Sequence, residues 1–158
     1  MIYVTLKDLV EQKIREIPEI KTVDWYNQQY ENTEEDYARL YPAVYIEIAD
    51  PSNWSDAGNK MQHGTVSIRL HVVDFNLKDD PVEVMQLDQK IFLKLHGNPL
   101  FDINGNQVAT CLTRKTTDLV KRYNQLKIMR PVYVSEVFDI SAMDQYAQAN
   151  IVGFVIGS

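Results

Sequence analysis

Cysteine is almost absent. Cys111 stands alone among 158 residues, so neither an intramolecular disulfide nor a cysteine-based zinc cage can form. Glycine and proline are scarce at six each, and neither a Gly-rich phosphate loop nor a GxSxG elbow occurs. The three histidines, His63, His71 and His96, lack metal-ligand spacing. Cations are in deficit: 16 lysines and arginines face 22 acids, a formal charge of −6. That argues against a general nucleic-acid binder, which needs a cation surplus to displace counterions. Long apolar runs are missing too. The run over residues 151–156 is about a third of a membrane span, so no membrane partner is expected. The opening MIYVTLKDLVEQKIREI carries charges every few residues and reads as no secretory signal; a cytoplasm-like compartment is expected.

What is present is globular. Apolar residues at 45% and charged residues at 24% exclude bulk disorder. A chain of this length can bury about two thirds of its unfolded surface. No repeat or linker divides it, so residues 1–158 read as one domain. Its irregular parts are an acidic insertion over 30–40 and a C-terminal extension over 141–158.

A first helix is predicted with Thr5 as cap, Asp8 at its positive end and Pro18 as its stop. Leu6, Leu9, Val10, Ile14 and Ile17 form its apolar stripe, and Lys13 falls inside that arc. A second helix is predicted from Asp80 as cap, Pro81 at the first position and Glu83 in the first turn, to about His96 before Gly97. Val84, Leu87, Ile91, Phe92 and Leu95 form its buried stripe, with Asp88 inside it and Leu93 opposite.

Alternation predicts strands at 65–72 and 43–48, with further strands at 23–26, 107–113, 132–138 and 151–156. Residues 116–126 fit a short helix or an irregular strand, and Asn104-Gly105 reads as a turn. The expected fold is α+β, a mostly antiparallel sheet with two amphipathic helices packed on one face.

No enzyme is signalled. Asp74, Asp79 and Asp80 bracket a strand-to-helix loop, where a cap and solvated acids account for them better than a paired-carboxylate site. Cys111 reads as a buried, inert thiol. Lys13 and Asp88, each costly to bury alone, have two readings: they pair with one another, or Lys13 reaches past the core edge and Asp88 meets a backbone amide. Trp54 and Met61, in the long connection 49–61, either anchor a partner or fold back on the sheet.

Charge is uneven along the chain. Glu31, Glu34, Glu35 and Asp36 cluster early, whereas Arg114, Lys115, Lys121, Arg122, Lys127 and Arg130 crowd a segment whose sole acid is Asp118. Both runs read either as solvated faces or as the two halves of a head-to-tail contact between copies.

The opening amphipathic helix, the strands YPAVYIEI and GTVSIRLHVVDF, the capped helix DPVEVMQLDQKIFLKLHG and the late strand VYVSEVFDI together resemble a family. It is that of the tail-terminator, tail-completion and head–tail joining proteins of tailed bacteriophages. The resemblance lies in element order and pattern and covers most of the chain; the stretch 30–40 and the tail 141–158 depart from it. It implies a non-catalytic virion subunit without cofactor, assembled in the host cytoplasm and placed at the head–tail junction or tail. Such a subunit would form a homo-oligomeric ring of six or more copies, dock to other tail or connector proteins, and let DNA pass through its lumen without specific binding. A small soluble bacterial protein-binding module without enzymatic activity is the alternative, and a hydrolase using Asp74, Asp79 or Asp80 a third.

Overall fold

A computed structural model describes residues 1–31, 40–49, 53–78, 80–122 and 125–143. The elements run α1 (Ile2–Ile14), β1 (Thr22–Trp25), a 3-10 turn (Gln29–Glu31), β2 (Ala43–Ala49), β3 (Trp54–Asp56), β4 (Gln62–Phe75), α2 (Val82–Leu95), β5 (Leu100–Phe101), β6 (Gln107–Ala109), β7 (Thr113–Thr116), β8 (Leu119–Arg122), β9 (Leu126–Met129) and β10 (Val132–Asp139). The chain is α+β. Among the described residues its strands form one 10-stranded sheet in the order β1-β2-β4-β10-β6-β5, with β3 and β9 paired to β4, β7 to β10 and β8 to β9. β1 lies parallel to β2, while the other strand pairs are antiparallel. The expected strand at 151–156 lies outside the described residues.

β4 is the spine. Its 14 residues alternate, so Val66, Ile68, Leu70 and Val72 turn to one side and Ser67, Arg69, His71 and Val73 to the other. The first set joins Val44 and Ile46 of β2, Tyr133 and Val137 of β10, and the stripes of both helices in one apolar cluster. From α1 come Leu6, Val10 and Ile14; from α2 come Val84, Leu87, Ile91 and Leu95. A second cluster lies on the opposite set of positions, where Tyr30, Tyr41, Tyr45 and Val73 meet Leu126 and Ile128 of β9. The sheet is thus not wholly bare on its second side, because Tyr26 and Tyr30, from the chain after β1, pack there against His71.

Helix α1 starts earlier than Thr5. Ile2 continues the i+4 row of Leu6, Val10 and Ile14, and the apolar contact extends the helix back by a turn. Thr5 therefore sits inside it and donates its hydroxyl to the Met1 carbonyl at 3.1 Å. Helix α2 starts one residue later than expected: Pro81 takes the cap position and Val82 is the first helical residue, while Asp80 Oδ1 accepts the Val82 N–H at 3.2 Å in the turn before it. The chain leaves through Gly97 at φ +78° as expected. Phe92 is only half-buried, because its ring faces the Arg114 guanidinium rather than the core.

Two stretches differ from expectation, and a third is decided between its two readings. The stretch 49–61 carries β3, which forms a hairpin with β4 turning through Gly58 at φ +85°. The strand expected at 107–113 is broken at Thr110, whose hydroxyl lies 3.0 Å from Ser135 Oγ and accepts the Glu136 N–H at 3.1 Å. Within 116–126, residues 119–122 are strand β8. Asn104-Gly105 is a turn, with Gly105 at φ +81°.

The two sides of α2 give a direct check. Ile91→Ala should cost about 2–5 kcal/mol in urea unfolding, whereas Leu93→Ala, 67% exposed in the native chain, should stay within about 0.5 kcal/mol.

Candidate functional site

The polar side of β4 carries a connected set of side chains. Tyr45 lies opposite His71 and Glu47 opposite Arg69 in the β2–β4 register. Strand alternation points Glu47, Arg69 and His71 to the same side, opposite Val66, Ile68, Leu70 and Val72. The buried His71 imidazole faces the Tyr30 hydroxyl with Nδ1 at 2.9 Å and Glu47 Oε2 with Nε2 at 2.8 Å. The Tyr26 ring stacks on it at 3.8 Å. Burial pulls the His71 pKa below its ordinary value, and the Glu47 carboxylate opposes this only in part. Beyond Tyr30, Arg130 forks onto Asp118, donating from Nε to Oδ1 at 2.9 Å. This guanidinium holds the Asp118 carboxyl below the usual range.

The arrangement ties the 3-10 turn, β2, β4, the β7–β8 link and the β9–β10 link together. Its ring members are sealed, Tyr30 and His71 being 1% and 2% exposed, while the Glu47 and Asp118 carboxylates reach solvent. Nearby, a cleft of about 240 Å³ is lined by Arg69, Thr116, Thr117, Asp118, Arg130 and Val132. That volume is below the range of ordinary ligand pockets. Among the described residues, no group of three or more His, Cys, Asp or Glu side chains is placed to hold a metal, and no helix is long and apolar enough to cross a membrane.

The acids weighed for catalysis do not converge. Asp79 lies outside the described residues, and Asp80 Oδ1 accepts the Val82 N–H in the turn that leads into α2. Asp74 is buried within β4, not solvated in a loop, and burial, then the nearby Glu83, raises its pKa. Cys111 is exposed rather than buried, because the chain between β6 and β7 turns Leu112 inward instead.

Asp88 is paired differently from expectation. Its Oδ2 accepts from Arg114 Nη1 at 3.2 Å, and the same guanidinium sits 4.1 Å above the Phe92 ring. β7 delivers Arg114 to this spot, so the Lys13 pairing is corrected. The Asp88 pKa is nonetheless raised, since burial outweighs the guanidinium. Arg114 is therefore held within its own chain, a role that no local pattern announces.

The other charged candidates stand apart from it. Lys115 and Lys121 are exposed on β7 and β8, and Glu31 is exposed in the 3-10 turn. Glu34, Glu35, Asp36 and the side chain of Arg122 lie outside the described residues. Trp54 is half-buried on β3. Met61 is not displayed at all; it is buried with Met143, against Phe138 and Ile140. Sequence reasoning missed Tyr30, Glu47 and His71 as partners, for they lie 41 and 24 residues apart and meet only through strand pairing.

With this geometry in view, one likeness stands out. The fold is similar to that of a chain in a solved structure described as the virion of a native gene transfer agent particle. The TM-score is 0.57 and the identity 13%, and the match covers 85% of this chain and 95% of that one. No protein-family model matches the chain, and no curated protein matches it either. At this identity the likeness shows the fold alone.

Two predictions follow from the buried charges. Arg114→Met strands the Asp88 carboxylate and should cost about 3 kcal/mol in chemical unfolding, and adding Asp88→Leu should recover much of it. His71, with its folded pKa below the unfolded value, binds fewer protons when native than when unfolded. Stability should therefore fall as pH drops from about 6.5 toward the folded pKa. Urea midpoints at pH 7.5 and 5.5 should show this fall in the native chain and a smaller one in His71→Gln.

Proposed function

We propose that this chain is a non-catalytic structural subunit of a phage-type virion, a ring-forming tail terminator or head–tail connector. The observation that carries the reading is the fold likeness to a chain of a virion particle across 85% of this one. In the proposed arrangement the two helices cover one face of the sheet, which leaves its polar face and edges for neighbours. Copies associate head to tail, the acidic stretch of Glu31, Glu34, Glu35 and Asp36 meeting the basic strands with Lys115, Lys121 and Arg122, and Trp54 on the rim. A heterologous contact of this kind closes into a ring when its rotation allows, here of six or more copies. Neighbouring rings of the tail or connector dock above and below. DNA passes through the lumen without specific binding, since a chain of charge −6 does not grip phosphates. The particle is built in the host cytoplasm and ends in the virion, at the head–tail junction or tail.

Because Arg114 stabilises its own chain, the test leaves it untouched. Lys115→Glu with Lys121→Glu should reduce the light-scattering mass of the native oligomer to that of one chain while leaving the unfolding midpoint nearly unchanged. An oligomer of unaltered mass would reject the charge contact. A native protein that is monomeric with and without tail or connector partners would favour a binding module instead.

A further inference from the structure

The solvent side of α2 is unusual for a surface helix. Val82, Met85, Gln86, Gln89 and Leu93 project within an arc of about 100°, opposite the buried stripe, and all five are exposed. No charge interrupts this band, although charged residues make up 24% of the chain. The lysines beside it are already matched within the molecule: Lys94 Nζ lies 2.7 Å from Glu16 Oε2, and Lys90 pairs with Glu19. The band therefore asks for a neutral, apolar partner, because a charged one would lose its hydration there without gaining a counter-ion.

The same chain displays such a partner elsewhere. Ile103, at the tip of the β5–β6 hairpin, is 99% exposed, and Phe101 beside it is 40% exposed. The tip is tightly built. Asp102 Oδ1 accepts the N–H groups of Asn104 and Asn106, each at 2.9 Å, and Oδ2 accepts from Asn106 Nδ2 at 3.1 Å. Gly105 supplies the left-handed turn. These contacts occupy the one carboxylate of the tip and hold the loop without any help from Ile103. The turn chemistry would be met equally by a polar residue at that position.

We infer that the Ile103 hairpin of one copy docks on the uncharged outer band of α2 in the next. Both surfaces carry exposed apolar side chains and lack an unmatched charge, so neither suits the acidic stretch or the basic strands. They are also different surfaces of one chain, so each copy gives a hairpin to one neighbour and a helix to the other, as a closed ring requires. Pairing α2 with α2 would stop at two copies and leave Ile103 uncovered. The inference rests on the self-association proposed above, though not on its charge contact.

Two proteins test it, both carrying Cys111→Ser, one with Ile103→Cys and the other, distinguishable by a tag, with Leu93→Cys. Mixed and mildly oxidised, they should give a disulfide joining the two kinds of chain, well in excess of either like pair. Ile103→Asp, at a fully exposed position that leaves folding intact, should weaken assembly at least about tenfold. If the native protein is oligomeric but the mixed disulfide does not form, or only Leu93→Cys pairs with itself, this docking is wrong and the self-association reading survives. A native protein of single-chain mass overturns both.

Discussion

Burial of alternate β4 residues in one apolar cluster with the stripes of α1 and α2 is the constraint from which the other contacts follow. Val66, Ile68, Leu70 and Val72 are each at most 1% exposed, a gain of roughly 1.5–3 kcal/mol per side chain against the unfolded chain. A one-residue slip would turn these four outward and bring Ser67, Arg69 and His71 into the apolar cluster, so the register is strongly specified. With that register set, Glu47 and Arg69 become neighbours, and β10, β9 and β3 take their places along the same strand. The polar side is thus organised by the apolar one.

Two polar groupings then complete the body, and each is explained by the cost of leaving a buried polar group without a partner. His71 is fixed through both ring nitrogens, and Asp88 through Arg114. Neither grouping looks like chemistry in waiting. The imidazole is sealed beneath Tyr26 and Tyr30, and Asp88 lies between α2 and β7. Their effect is to hold the turn at Gln29–Glu31 and strand β7 rigidly against the sheet. Rigid placement of surface strands and loops suits a subunit that must meet its neighbours in one geometry.

The features legible in the sequence were those written locally. The start of α2 is placed to within one residue by Asp80 and Pro81 and its end by Gly97, and the alternation of 65–72 gave β4 its core face. The start of α1 was misjudged because a Thr in the first turn resembles a cap, while the deciding contact is Ile2 on a core built by distant strands. Met61 shows the same limit: a methionine in a polar loop leaves its two readings open, and the contact that buries it is with Met143, 82 residues on. Arg114 belonged to a cationic run by composition and to Asp88 by geometry. Pairings across 26 residues leave no periodic trace.

The described residues display several neutral and charged surfaces, among them the outer side of α2, the Ile103 hairpin and the lysines of β7 and β8. The central claim is that these surfaces recognise further copies of the chain. Native mass spectrometry of the purified protein, across a concentration series and in the presence of tail or connector partners, tests it most directly. The account predicts a discrete closed species of six or more chains, alone or on the partner. A single chain under every condition would contradict it.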